Sequence, residues 1–138
     1  MGLHCVGVDR NAQHLAELQT RAREEQRPVA TVRADLEAAP HPPLRHDAFG
    51  AVLVFRYLHR ALMPELAALL RPGGLLLYET FTLRQRTLGY GPSREEFLLR
   101  DGELPGLFPS LEVISHWEGR REGERPSFVA ALAAVRPR

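Results

Sequence analysis

Short apolar runs alternate with stretches of helical spacing through the first half of the chain. Leu3-His4-Cys5-Val6-Gly7-Val8 is apolar and β-branched and stops at Asp9, which predicts a buried strand. Asn11 is a suitable cap for a helix in which Ala12, Leu15, Leu18 and Ala22 recur at helical spacing with Gln13, Glu17, Gln19 and Arg23 between them. Pro28 lies beyond the end of that helix. Residues 29–34 predict a second strand, closed by Asp35, and the prolines at 40, 42 and 43 make residues 38–47 a loop. Ala51-Val52-Leu53-Val54-Phe55 is uniformly apolar, the pattern of a strand covered on both faces in a parallel sheet. A second helical pattern runs through Leu58, Leu62, Leu66 and Leu69, and Pro64 places its true start near Met63. Arg71-Pro72-Gly73-Gly74 ends it, and Leu75-Leu76-Leu77-Tyr78 is a fourth strand.

This strand–helix alternation argues for a parallel sheet with right-handed crossovers. The tail differs. Leu111-Glu112-Val113-Ile114-Ser115-His116-Trp117 alternates apolar with polar residues, and residues 128–135 are mostly apolar. The charged, glycine-containing stretch 119–126 separates them at hairpin distance, which predicts an antiparallel pair at the end of the sheet.

Composition narrows the chemistry. The 138 residues fit a single domain spanning 1–138, and 44% hydrophobic with 25% charged residues belongs to ordinary globular proteins. A net charge of +1 with no basic cluster gives no footprint for nucleic acid; the Arg120-Arg121 doublet is expected to be solvated surface. All 18 basic residues are arginine, which excludes Schiff-base, pyridoxal-phosphate and Walker-type chemistry, each of which needs a lysine amine. Cys5 is the sole cysteine, so neither a disulfide framework nor a thiolate metal cluster is expected, and Cys5 itself is expected to be a small buried hydrophobe. No apolar stretch approaches the roughly 18 residues of a membrane span. The beginning of the chain lacks a signal-peptide layout, so a cytoplasmic location and no membrane partner are expected.

Order and punctuation together resemble the class I S-adenosylmethionine-dependent methyltransferases, over nearly the whole chain. The clearest segment is Leu66-Ala67-Ala68-Leu69-Leu70-Arg71-Pro72-Gly73-Gly74-Leu75-Leu76-Leu77-Tyr78-Glu79, in which helix, Pro-Gly-Gly turn and apolar strand succeed one another. Val6-Gly7-Val8-Asp9 is similar to the family's second strand, and Ala34-Asp35-Leu36 to its next element. The resemblance implies an α/β fold with a Rossmann-like methyltransferase sheet, mostly parallel and closed by an antiparallel C-terminal strand pair. It also implies S-adenosyl-L-methionine as cofactor, with Asp9 on the ribose hydroxyls beside Arg10, Asp35 on the adenine amino group, the Leu36 backbone on the ring, and Phe55 nearby. A carboxylate at a strand's carboxyl end suits a diol; it equally suits the start of a helix, whose dipole favours an acid.

His46-Asp47-Ala48-Phe49-Gly50 fits the family's entry into the third strand, with Gly50 where a second aspartate is usual. The residues after that strand lie where the family places its pocket. His59 is the candidate general base by type and position, or a histidine bonding surface water on a helical first turn. Arg56 and Tyr57 are candidates for orienting an anionic or aromatic substrate. Glu79, Thr80 and Thr82 either line the substrate pocket or cap the strand. In residues 85–102, a variable substrate-recognition stretch in the family, Phe97 and Leu98 are expected to pack.

Upstream of the second strand, family members carry a first strand, a glycine-rich loop and a helix, and no glycine here supplies that loop. The first strand and the loop are therefore expected to be absent. Three explanations stand: a start assigned too late, a truncated remnant, or a missing half supplied by a partner chain or a second copy in a homodimer that covers the exposed central strands. Two functions are compatible with this pattern. One is methyl transfer from S-adenosylmethionine to a small molecule. The other is a catalytically inactive, methyltransferase-like binding module. A nicotinamide-dependent Rossmann enzyme also places an acid after its second strand, but Arg71-Pro72-Gly73-Gly74 and the closing antiparallel pair favour the methyltransferase.

Overall fold

The computed structural model describes residues 2–138, which fall into two compact units, Met1–Pro43 and Leu44–Arg138. The first unit is a single strand–helix–strand crossover. Strand β1 (Cys5–Asp9) pairs in parallel with β2 (Val29–Arg33), Cys5 opposite Val29 and Asp9 opposite Arg33, and helix α1 (Ala12–Glu24) connects them. Asn11 caps the helix as its residue type predicts, its side chain accepting the Gln13 and His14 N–H groups at 2.9 and 3.3 Å. Arg21 and Arg23 sit in the last turn, where the helix dipole favours cations. The helix packs against β1 at Gly7: a Cβ there would lie 2.6 Å from the end of the Leu18 side chain, which would have to shift to admit it. Two strands and one helix enclose little, and only Leu15 and Ala22 of α1 are buried. Cys5 is consequently exposed rather than buried.

The second unit holds a four-stranded sheet in the order β3-β4-β6-β5, formed by β3 (Phe49–Phe55), β4 (Leu70–Phe81), β5 (Glu112–Arg121) and β6 (Ser127–Val135). β3 and β4 are parallel; β6 lies antiparallel between β4 and β5. Helix α2 (Met63–Leu69) starts where Pro64 places it, with proline in the first turn. Alternate residues of the sheet enter the core: Leu76, Tyr78 and Thr80 of β4 and Ala130, Leu132 and Ala134 of β6 are buried, as are Leu62, Met63, Leu66, Leu69, Leu98 and Leu104. Tyr78 meets Phe108 with ring centroids 5.8 Å apart.

Two expectations for the second unit also need correcting. β3 is covered on one face only: Leu53 and Phe55 are 58% and 56% exposed. They share their face with Glu79, Ala131 and Trp117, since Phe55 pairs with Glu79, Glu79 with Ala131, and Ala131 with Trp117. An apolar run shows that a strand tolerates burial, not that a layer lies over both its faces. The fourth strand also begins earlier than expected, at Leu70, which already pairs with Phe49; residues 71–74 then bulge out before Leu75 pairs with Ala51. Gly73 takes a left-handed φ of 80° within the bulge, and its N–H donates to the Arg136 carbonyl at 2.8 Å. The Pro-Gly-Gly turn is thus an excursion within a strand that also anchors the C-terminal segment.

Candidate functional site

In the first unit, the parallel pairing of β1 with β2 carries both strand-end acids to one edge. Asp9 closes β1 opposite Arg33, and Asp35 lies two residues beyond that partner. The Ala34 N–H donates to the Asp9 carbonyl at 3.0 Å, so the pairing continues past the last strand residue. Carboxyl edges of parallel strands are where ligands bind sheets of this kind. Here that edge opens into a concavity of about 780 Å3 lined by residues 10–13 and 33–35.

Each acid is held by its own chain. Asp9 Oδ1 accepts the Asn11 N–H at 2.8 Å, and Oδ2 lies 3.3 Å from His14 Nδ1. The Asn11 amide is the largest influence on the Asp9 pKa and lowers it below its ordinary value; partial burial opposes it, and His14 adds to the lowering. Asp9 is therefore ionised at neutral pH. Asp35 Oδ1 accepts the Glu37 and Ala38 N–H groups at 3.0 and 3.2 Å, which fixes the carboxylate in an Asx turn and leaves its second oxygen available. Arg10 pairs with Glu37 at 3.6 Å, and Arg33 Nε donates to the Arg10 carbonyl at 3.1 Å. Leu36 is half-buried directly after Asp35.

In the second unit, Phe55, Arg56 and Glu79 come together at the end of β3. Phe55 pairs with Glu79, and the Arg56 N–H donates to the Glu79 carbonyl at 2.8 Å. Arg56 adopts φ 55°, a left-handed conformation uncommon for a side-chain-bearing residue, and its guanidinium lies 5.1 Å from the Phe81 ring centroid. Glu79 is also ion-paired with Arg121, whose guanidinium stacks over Trp117 at 5.1 Å. Tyr57 contributes its carbonyl as acceptor for the buried Tyr78 hydroxyl, and burial pushes the Tyr78 phenol well above its ordinary pKa.

His59 is half-exposed and precedes a short 3-10 turn (Arg60–Leu62), its carbonyl accepting the Leu62 N–H at 3.0 Å. Thr82 stands apart from this group. It is 3% exposed, and its N–H donates to the Phe128 carbonyl at 3.0 Å, so its side chain faces the interior. Leu98 packs at 0% exposure as expected. Spacing gave no hint of Arg121 or of Arg60. Arg60 donates to Glu103 at 2.6 and 2.8 Å and to the carbonyls of Glu96 and Leu98 at 3.1 and 3.0 Å.

A strand–helix–strand crossover ending in two acids, and a mixed sheet closed by an antiparallel pair, define an α/β protein with the Rossmann-like class I methyltransferase fold. A family profile described as a methyltransferase domain matches residues 1–74, more than half of the chain, and the chain belongs to that family. No curated protein sequence matches it.

Solved structures share the fold at low identity. The [4+2]-cyclase SpnF superposes with a TM-score of 0.76 at 16% identity, over 98% of this chain and 66% of that one. TehB from Haemophilus influenzae gives 0.76 at 16% identity, over 98% of this chain and 50% of that one. The N-methyltransferase NodS from Bradyrhizobium japonicum, in complex with S-adenosyl-L-homocysteine, gives 0.70 at 13% identity, over 98% of this chain and 67% of that one. The chain thus spans between half and about two thirds of the length of these structures.

Proposed function

We propose that this protein is an S-adenosylmethionine-dependent methyltransferase acting on a small molecule. The observation that carries the reading is the pair of anchored carboxylates, Asp9 and Asp35, at the carboxyl edge of adjacent parallel strands beside an open concavity. The acceptor set fits the nucleoside part of the cofactor: an ionised carboxylate accepts from the two hydroxyls of a ribose, and a second carboxylate accepts from an amino group. Asp9 and Arg10 would hold the ribose, and Asp35 and the Leu36 backbone the adenine. When bound, the cofactor supplies a methyl group already activated on a sulfonium, so the protein's task is alignment of the acceptor.

Arg56, Tyr57 and Glu79 are proposed to orient that acceptor. His59 is proposed to take its proton where the acceptor carries one. Thr82, buried and with its N–H and carbonyl bonded to Phe128 and Gln85, has no part in this proposal. The balanced charge supports a small-molecule acceptor over nucleic acid. No helix among the described residues is long and apolar enough to cross a membrane, and a cytoplasmic location is part of the proposal.

Titration calorimetry with S-adenosylhomocysteine tests the reading. Binding by the wild-type chain is expected, with Asp9→Ala weakening it about 10- to 100-fold, the size of a lost hydrogen bond to a charged group. Absence of wild-type binding, or unchanged affinity in Asp9→Ala, refutes it. A second reading, a methyltransferase-like binding module or homodimer, draws support from the exposed Leu53 and Phe55 on the edge strand β3. A monomer by light scattering at concentrations where S-adenosylhomocysteine binds would reject the homodimer.

A further inference from the structure

We propose that His14 is a positioning residue for ribose recognition, holding the Asp9 carboxylate in the orientation that accepts both hydroxyls of a vicinal diol. The inference rests on the reading of Asp9 as the ribose ligand and adds to it the residue that makes the carboxylate a two-point acceptor.

A strand-end aspartate can turn about its side-chain bonds, and a diol needs both oxygens presented together. In this structure the two oxygens are held from different places. The Asn11 N–H bonds Oδ1 at 2.8 Å, and His14 Nδ1 lies 3.3 Å from Oδ2. Each carboxylate oxygen has two acceptor sites, so one on each remains for a ligand hydroxyl.

Both supports come from the start of α1 and are themselves tied together. Asn11 Oδ1 accepts the His14 N–H, and the His14 imidazole returns to Asp9, closing a ring of hydrogen bonds around the helix start. The side chain of a residue in a first helical turn leans toward the N-terminus, which is where β1 ends. The close contact of Leu18 at Gly7, two residues before Asp9, keeps helix and strand in this relation. The neighbouring charges are engaged elsewhere: Arg10 with Glu37, Arg33 with the Arg10 carbonyl, and Asp35 with the backbone of residues 37 and 38. As an ion pair His14–Asp9 is solvent-exposed on both sides, so it contributes little to stability. Its effect belongs in the discrimination of ligand hydroxyls.

The test compares wild type, His14→Phe, which keeps a ring without the donor, and His14→Gln, which restores one. Calorimetry uses S-adenosylhomocysteine and its 2′,3′-dideoxy counterpart. His14→Phe is expected to lose about three- to tenfold in affinity for S-adenosylhomocysteine and nothing for the dideoxy ligand, with His14→Gln recovering most of the loss. Equal losses for both ligands would mean a merely structural role and overturn the proposal, as would no loss at all. A readout without ligand is the NMR titration of the Asp9 carboxyl carbon, whose midpoint should rise in His14→Phe; an unmoved midpoint overturns the proposal. If Asp9→Ala weakens binding and His14→Phe does not, the positioning role alone fails. If the wild type does not bind, or Asp9→Ala leaves affinity unchanged, the ribose reading fails and takes the positioning role with it.

Discussion

Replacing Arg60 by alanine tests how the second unit is held together. The guanidinium makes two charge-assisted bonds to Glu103, at 2.6 and 2.8 Å, and two bonds to the Glu96 and Leu98 carbonyls. In doing so it ties the entry to α2 to a segment 36 to 43 residues away in sequence. Glu103 is only 14% exposed at its side chain, so Arg60→Ala leaves a largely desolvated carboxylate with the Arg100 N–H at 2.9 Å as its remaining hydrogen-bond donor. The Arg60 side chain is 33% exposed, and water replaces part of what is lost. Hydrogen bonds to charged groups contribute about 1.5–3 kcal/mol each, and this solvent access brings the net cost to about 2–3 kcal/mol.

Urea unfolding followed by the fluorescence of Trp117, in the same unit, measures it. The midpoint should fall by about 1 M at a slope typical of a chain of this size. Arg60→Lys should recover only part, because an ammonium cannot reach four acceptors in a plane. The Arg60 bond is the largest influence on Glu103 and holds its pKa below the ordinary 4.5. The stabilisation is therefore full above pH 4.5 and is lost as pH falls through the depressed folded value. The gap between wild type and Arg60→Ala should accordingly narrow in acid. A gap under about 0.5 kcal/mol at neutral pH, the size of an ordinary surface substitution, would refute the reasoning. So would full rescue by lysine.

Two further substitutions probe the same unit. A Cβ at Gly74 would lie 2.8 Å from the Arg71 carbonyl oxygen and 3.0 Å from that of Phe49, both backbone. Gly74→Ala should therefore cost about 1–3 kcal/mol in urea unfolding, and a neutral result would mean that the bulge is not rigid. Tyr78→Phe removes the hydroxyl that donates to the Tyr57 carbonyl, with an expected loss of about 1–2 kcal/mol; a lowering of the thermal midpoint by less than a degree would count against that bond.

Much of the local structure was legible in the order of residue types. Asn11, the helical spacing after it and the acids closing two apolar runs located β1, α1 and β2, because caps, periodicity and strand ends depend on near neighbours. The same reasoning placed Asp9 and Asp35 one crossover apart. His14 escaped it: a histidine in a first helical turn has no pattern that announces an aspartate five positions earlier as its partner.

Arg60 with Glu103 and Arg121 with Glu79 are 43 and 42 residues apart, and nothing in local spacing marks either pair. The Arg120-Arg121 doublet shows the limit well. Both arginines are solvent-exposed as expected, but their partners were not foreseen: Arg120 pairs with Glu122, while Arg121 spans Trp117 to reach Glu79, because strand register sets Trp117 and Glu79 in one row on either side of Ala131.

The sequence by itself determined where most of the strands and the two longer helices lie, which family the chain resembles and which two acids follow the first two strands. Only the tertiary structure decided that Cys5, Leu53 and Phe55 are exposed, that the Pro-Gly-Gly turn sits inside β4, and that Thr82 faces the core. The physical reason is that hydrophobic pattern records a residue's tolerance for burial, whereas burial itself depends on which distant elements arrive to cover it.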